Sequence, residues 1–309
     1  LAHSFAAKVR RGEPISIVFK KRRLAFCKTP VYFWPCPSGQ RHRIHDNGFM
    51  SNCFKSKPTP SVVILTPLKD VADQAGDYFR RLLALSYPRE NISVGLLESD
   101  SSDDTHQAFQ KQCERAAPHF RRVQLWKKDF NYQIPKDVPR WHPNIQSERR
   151  AILARSRNHL LFLALADADW ALWLDADVIE FPPDIIERLI SYGKDIVHPN
   201  CVKEYGGPSY DLNAWCDRGK SHLHDFRDGP ELVELEAVGG TMLLVRADLH
   251  RDGLIFPPFY YGADHPFARD KKSGEPKGEI ETEGFGFLAA DMNLKCWGAP
   301  RLEIRHRDF

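Results

Sequence analysis

Between Ser61 and Val178 the chain alternates short β-branched runs with longer stretches whose apolar residues recur at helical spacing. The segments "SVVILTP" (61–67) and "WALWLDADV" (170–178) read as buried strands, and "ISVGLLESD" (92–100) and "RRVQLW" (121–126) as two further strands. Three helices separate them. "DQAGDYFRRLLALSY" carries Tyr78, Phe79, Leu82, Leu83 and Leu85 on a helical period and stops before Pro88, "SSDDTHQAFQKQCERAA" opens on N-capping Ser and Asp, and "SERRAILARSRNHLLFLALAD" is long and strong. Strands joined by helical crossovers give an α/β fold, a mostly parallel sheet flanked by helices. In such a sheet ligands gather beyond the carboxyl ends of the strands, which here read "TPLKD", "ESDSSDD" and "DADVIE".

The flanks differ from this regular block. Residues 1–60 are interrupted by Pro30, Pro35, Pro37, Pro58 and Pro60, hold no period, and read as an irregular N-terminal arm on a domain spanning 61–309. After residue 198 the chain turns loop-rich ("YGGPSYDLNAWCDRGKSHLHDF"), then offers one more strand ("VGGTMLLVRADL") and one more helix ("IETEGFGFLAADMNL"). Tyr260 to Glu279 is rich in Lys, Gly and Pro and reads as a mobile surface loop. Trimming Arg269 to Lys277 is expected to leave binding at the strand ends untouched and to change only contacts that the loop itself makes.

Composition removes several function classes. At 309 residues and 42% hydrophobic content the chain can bury a large core. A net charge of +3 is no footprint of a nucleic-acid binder, although "KVRRGEPISIVFKKRRLAF" sets seven Lys/Arg against Glu13 alone. No run approaches the roughly 20 apolar residues of a bilayer span. The seven cysteines lack metal-knuckle spacing. Cys27, Cys36 and Cys53 crowd the arm, where an oxidised staple fits; the other four read as core thiols. Asn91-Ile92-Ser93 is a glycosylation sequon.

The pair in "WLDADV" carries the chemistry. Asp175 and Asp177 are two apart, so in a continuing strand they share a face, where two carboxylates repel unless a cation lies between them. A hard divalent ion with oxygen ligands, Mn²⁺ or Mg²⁺, relieves that repulsion and leaves positions open for phosphate oxygens. Two other readings compete: simple capping of the turn, and the nucleophile strand of a haloacid-dehalogenase-type phosphatase. The phosphatase motif normally opens its fold, whereas several strands precede the pair here, and the downstream half lacks a convincing paired-aspartate loop.

In order along the chain, "ILTPLKD", "ESDSSDDT", "RRAILARSRNHLL", "WLDADVIEFPPDII", "HPNCV", "YDLNAW", "VGGTMLLVRADLHRDGLIFPPF" and "ETEGF" resemble the fungal Golgi mannan-polymerase α-mannosyltransferases, glycosyltransferase family 62. The resemblance runs from about Ser61 to His306. It implies a GT-A type nucleotide-sugar transferase fold, with 61–198 as the nucleotide-binding half and 199–309 facing the acceptor. It implies GDP-mannose as donor, Mn²⁺ (or Mg²⁺) as cofactor, and transfer to an α-mannoside with retention, α-1,6 in a mannan or N-glycan outer chain. It also implies a Golgi membrane protein with a lumenal catalytic domain, an N-terminal anchor absent from this sequence, and related mannosyltransferase subunits as partners.

Carried over by position, Thr66 and Pro67 meet the nucleoside, Asp100 its base or ribose, and Arg155 and Asn158 the diphosphate. Asp177 and His306 ligate the metal, with Asp175 on ribose or metal-bound water. Gly239 and Gly240 let the backbone approach the donor, and Asp211, Glu281 and Glu283 are the candidate catalytic carboxylates. The alternatives are a GT-A enzyme using another sugar nucleotide and a non-catalytic subunit of a mannosyltransferase complex.

Overall fold

The computed structural model describes residues 59–307 apart from 136, 140 and 141. The expected basic arm and its three cysteines lie outside the described residues. The strands are β1 (Val62–Leu68), β2 (Ile92–Glu98), β3 (Arg122–Lys127), β4 (Trp170–Leu174), β5 (Val178–Glu180), β6 (Ile196–Val202), β7 (Trp215–Cys216), β8 (Ser221–His222), β9 (Val233–Leu235), β10 (Met242–Arg246) and β11 (Cys296–His306). The helices are α1 (Ala75–Leu83), α2 (Thr105–Ala116), α3 (Pro143–Ala164), α4 (Ile185–Ser191), α5 (Ala247–Arg251) and α6 (Glu281–Asp291).

Among the described residues one large sheet has the order β3-β2-β1-β4-β10-β6-β11-β5, with β9 attached to β11, while β7 and β8 form a separate ribbon. β1, β2, β3 and β4 pair in parallel, as do β6 and β11; β10, β5 and β9 run against their neighbours. The sheet is therefore mostly parallel, as the strand–helix alternation requires.

Its strands alternate between two cores. In β1, Val62 and Ile64 pack on one side, where α1 and α2 supply Tyr78, Phe79, Leu82 and Phe109. Val63 and Leu65 pack on the other, against Ala154, Leu160 and Leu161 of α3 and Phe285 of α6. β4 divides likewise, Leu172 and Leu174 to the first core and Ala171 and Trp173 to the second. Burial on both faces explains why these strands read as unbroken apolar runs. Of the thiols outside the arm, Cys113, Cys201 and Cys296 are buried and Cys216 is half-buried, all free.

β6 and β11 were not expected from the sequence, and the boundary drawn at residue 198 falls inside β6. Proline hid both strands. Pro199 lies beyond the two β6 residues that pair with β10, and Pro300 lies in the register shift of β11 between Ala299 and Glu303. These are the positions where a missing N–H and a bulge are tolerated.

The 260–279 segment is not the free surface loop its composition suggests. Arg269 forks onto Glu279 with Nε 2.8 Å and Nη2 2.7 Å from its two oxygens, lies 2.8 Å from Glu283, and stacks over Trp215. Lys271 adds a contact of 2.8 Å to Glu279, which is 1% exposed. The longest unbroken exposed run in the segment is 272–277. Trimming from Arg269 would strip Glu279 of Arg269 and Lys271 and Glu283 of one of its two arginines, so the expectation that the deletion acts on the loop's own contacts alone gives way to one of lost stability.

Candidate donor-binding site

The chain reverses its direction of strand addition between β1 and β4, and beyond that switch point a cavity of about 500 Å³ opens. Its walls come from the ends of β1 (Pro67 to Val71), β2 (Ser99, Asp100) and β4 (Asp175 to Asp177), with one face of α3 (Arg149, Ile152, Leu153, Ser156) and Arg307 after β11. Asp70 and Asp100 hold left-handed backbone at φ 51° and 54°, a conformation unfavourable for residues with a Cβ. The Asp100 carboxylate accepts the N–H groups of Phe130 and Asn131 at 2.9–3.1 Å, so it ties down the loop after β3 rather than capping α2. Lys69 donates to the carbonyls of Asp100 and Tyr132 and joins the same two loops.

The acidic pair does not share a face. β4 ends at Leu174 and the chain turns through Ala176 and Asp177, closed by the Val178 N–H on the Asp175 carbonyl. Asp175 keeps the α3-side direction of Ala171 and Trp173 and meets Arg157 at 3.1 Å. Burial, then the charges of Asp177, Asp211 and Glu281, push its carboxyl up to about 6 against the pull of Arg157. Asp177 turns instead to His306, whose Nε2 lies 3.1 Å from its Oδ1. β11 delivers that histidine by pairing His306 with Val178. The imidazole is 3% exposed and stacks on Tyr210 at 4.0 Å, and its Nδ1–H donates to the Arg307 carbonyl at 2.7 Å. Burial opposes protonation of His306, but the hydrogen bond and charge of Asp177 outweigh it and raise its pKa.

That backbone acceptor on Nδ1 fixes the tautomer and leaves Nε2 aimed at Asp177, the arrangement that orients a metal-ligating histidine. The pair fits a divalent ion with one imidazole and one carboxylate donor. No group of three or more His, Cys, Asp or Glu side chains forms a complete metal site among the described residues. Further ligands would have to come from a bound substrate or water.

The other expected residues fall in different places. Pro67 lines the cavity, but Thr66 is fully buried, its hydroxyl 2.7 Å from that of Tyr78 and donating at 2.6 Å to the Leu174 carbonyl. Asn158 bonds both ways with the backbone of Phe256, at 2.7 and 2.9 Å. Arg155 is exposed over the Phe130 ring. The arginine that meets the acidic strand end is Arg157, which reaches Glu281 (3.0 Å), Asp175 (3.1 Å) and the Gly240 carbonyl (3.3 Å) while 1% exposed.

The three candidate catalytic carboxylates are occupied internally, and none lines the cavity. Oδ2 of Asp211 accepts Gly240 N–H, Thr241 N–H and the Thr241 hydroxyl at 2.9–3.1 Å, with His198 Nε2 at 3.6 Å. Burial alone would raise its pKa, but His198 and the Thr241 donors hold it far below the usual carboxylate range. Glu281 takes Arg157 and the Thr282 hydroxyl, and Glu283 takes Arg150, Arg269 and the Trp215 indole N–H. Burial opposes ionisation of Glu283, but Arg150 and Arg269 lower its pKa. Gly239 and Gly240 serve this packing too. A Cβ on Gly239 would sit 2.1 Å from Asp211 Oδ2, and one on Gly240 2.5 Å from Arg157 Nη2. The turn passes its order to the site through the Thr241 carbonyl, which accepts the Asp175 N–H at 2.9 Å.

A mostly parallel α/β sheet with its cavity at the strand switch point and an acidic turn closing β4 is the architecture expected of a GT-A type fold. The chain belongs to the Anp1 family, whose profile matches residues 43–228 and 219–260. It is similar to the mannan polymerase complex subunit mnn9 of Schizosaccharomyces pombe, 28% identical over 87% of each chain. It is also similar to the mannan polymerase II complex ANP1 subunit of Saccharomyces cerevisiae, 28% identical over 79% of this chain but only 54% of that relative. Among solved structures, a mannosyltransferase of Pyrobaculum calidifontis in complex with GDP-Man and Mn²⁺ aligns with a TM-score of 0.47 and 17% identity, over 80% of this chain and 56% of that one. No helix among the described residues is long and apolar enough to cross a membrane.

Proposed function

We propose that the chain is a mannosyltransferase subunit of a mannan polymerase complex, moving mannose from GDP-mannose to an α-mannoside acceptor with retention, in an α-1,6 linkage. The observation that carries this reading is Asp177 in the wall of the switch-point cavity, paired with the buried His306, in a chain of the Anp1 family. Mn²⁺ or Mg²⁺ held by Asp177 and His306 would neutralise charge growing on the departing nucleoside diphosphate. The chain's own residues do the rest. Asp100 and Lys69 hold the loops around the nucleoside end, and Arg157 fixes Asp175 against α3. Ile152 and Leu153 give the α3 wall an apolar surface.

With Asp211, Glu281 and Glu283 spent on internal donors, transfer on one face of the sugar without a covalent enzyme intermediate suits the geometry better than double displacement. Association with related subunits and a lumenal position on the Golgi membrane belong to the same reading, supported by the names of the relatives.

Asp177→Asn tests the proposal. It keeps the side chain's shape but weakens the ion site. In a thermal-shift panel of nucleoside diphosphates, GDP with Mn²⁺ should stabilise the native chain by about 2.7 kcal/mol at a hundredfold excess over Kd, and the variant should lose that gain. Metal-dependent GDP binding that survives in the variant would remove the central claim.

A further inference from the structure

The cavity carries a surplus of negative charge. Asp70, Asp73, Asp100, Asp175 and Asp177 all line it, and a diphosphate adds more. A divalent ion at Asp177 is partly cancelled by its own ligand, so the diphosphate needs another cation. Lys69 is committed to two loop carbonyls, and Arg157 is buried behind Asp175. Arg149 belongs to the α3 wall.

Arg307 is the cation built into the acidic end. Its backbone N–H donates to the Asp177 carbonyl at 3.0 Å, and its own carbonyl takes the His306 Nδ1–H. The residue is thus fixed to both candidate metal ligands. Its guanidinium reaches Asp73, in the short turn (Ala72–Gln74) after β1, with Nη1 3.1 and 3.3 Å from the two carboxylate oxygens. Arg307 and Asp73 both line the cavity, so their pair bridges two of its walls.

We propose that Arg307 is a diphosphate-binding residue of the donor site, and that Asp73 holds its guanidinium until nucleotide enters. This inference rests on the donor-site reading above. The side chains of the pair are 30% and 62% exposed, so water competes well for both partners. A phosphate in the cavity offers the guanidinium a shielded acceptor with two oxygens, which it binds more strongly. The exchange leaves the Asp177–His306 pair in place, because Arg307 holds that pair through its backbone.

The experiment is isothermal titration of the 309-residue chain with Mn²⁺ alone, with GMP plus Mn²⁺ and with GDP plus Mn²⁺, for wild type, Arg307→Gln, Asp73→Asn and the double variant. Arg307→Gln is expected to weaken GDP about tenfold and GMP much less, leaving Mn²⁺ alone unchanged. Asp73→Asn is expected to tighten GDP about threefold, and the double variant to match Arg307→Gln. An equal loss for GMP and GDP, an unchanged GDP affinity in Arg307→Gln, or no tightening in Asp73→Asn overturns the proposal. A wild-type chain that binds no GDP with Mn²⁺ overturns the underlying donor-site reading instead.

Discussion

Arg157→Met is the most demanding test of how the site is held. The guanidinium is 1% exposed and makes three polar contacts, to Glu281, Asp175 and the Gly240 carbonyl, while lying over the Trp173 and Phe256 rings. Methionine roughly fills the space and keeps the apolar packing but supplies no charge. Glu281, 3% exposed, then retains the Thr282 hydroxyl at 2.8 Å and Arg150 at 3.7 Å. Asp175 keeps 28% of its side chain exposed, so water compensates part of its loss and Glu281 bears most of it. Removing one partner of a buried ion pair costs about 3–5 kcal/mol, because the other charge stays behind. Urea unfolding followed by tryptophan fluorescence reads this directly as a drop in midpoint at constant m. Adding Glu281→Gln removes the stranded charge and should recover about 1–2 kcal/mol. A loss below about 1 kcal/mol in the single variant, or no recovery in the double, would refute the claim that these charges are desolvated and mutually dependent.

Three further outcomes follow from the same geometry. Gly239→Ala should destabilise the fold by about 2 kcal/mol, since its Cβ would overlap Asp211 and His198, and its metal-dependent GDP binding should weaken because Thr241 holds Asp175; unfolding curves with nucleotide titration check both. His250 is buried between the Trp173 indole N–H and the Leu254 carbonyl, and burial lowers its pKa from 6.5 to about 4. Between those values the unfolded chain binds a proton that the native chain refuses, so His250 contributes a fall in stability of up to about 1.4 kcal/mol per pH unit on acidification, partly offset by Asp175. His250→Gln should flatten that slope in pH-dependent urea unfolding. Replacing only residues 272–277 with a short Gly-Ser link should leave the melting temperature within a few degrees of wild type, whereas extending the replacement back to Arg269 should lower it sharply, as a paired thermal melt would show.

The block from β1 to β4 was legible because β1, β2 and β4 are buried on both faces and its helices carry a clear period; β3, at the sheet edge, has no buried residue. The ends of those strands, and hence the cavity, followed from that alternation. Arg157 was within reach of the same logic. On α3 the buried residues Ala154, Arg157, Leu161 and Ala164 recur every three or four positions, and Arg150 continues the stripe, while Arg155 lies off it. What misled was charge, which argued for the surface when the true partners were Glu281 and Glu283, over a hundred residues away in sequence. Asp177 and Asp175 pointed apart because a turn followed Leu174, and a two-residue spacing alone does not reveal where a strand stops. β11 stayed hidden behind Gly298, Pro300 and three charged residues (Arg301, Glu303 and Arg305), since its strand character depends on β6, β5 and β9 rather than on local preference.

The placement of β11 also sets a schedule for the ribosome. Asp177 leaves the tunnel well before His306, with β6, β10 and α6 still to come between them. A nascent chain can close the β3-β2-β1-β4 block early, yet β6 then has one open edge, and β5 and β9 have no partner in the sheet. Only when β11 inserts are those edges sealed, and in the same event the imidazole arrives opposite the carboxylate. A chain stalled before that strand presents a sticky sheet and half an ion site, so quality control that recognises exposed edges would discard it before it could sequester metal.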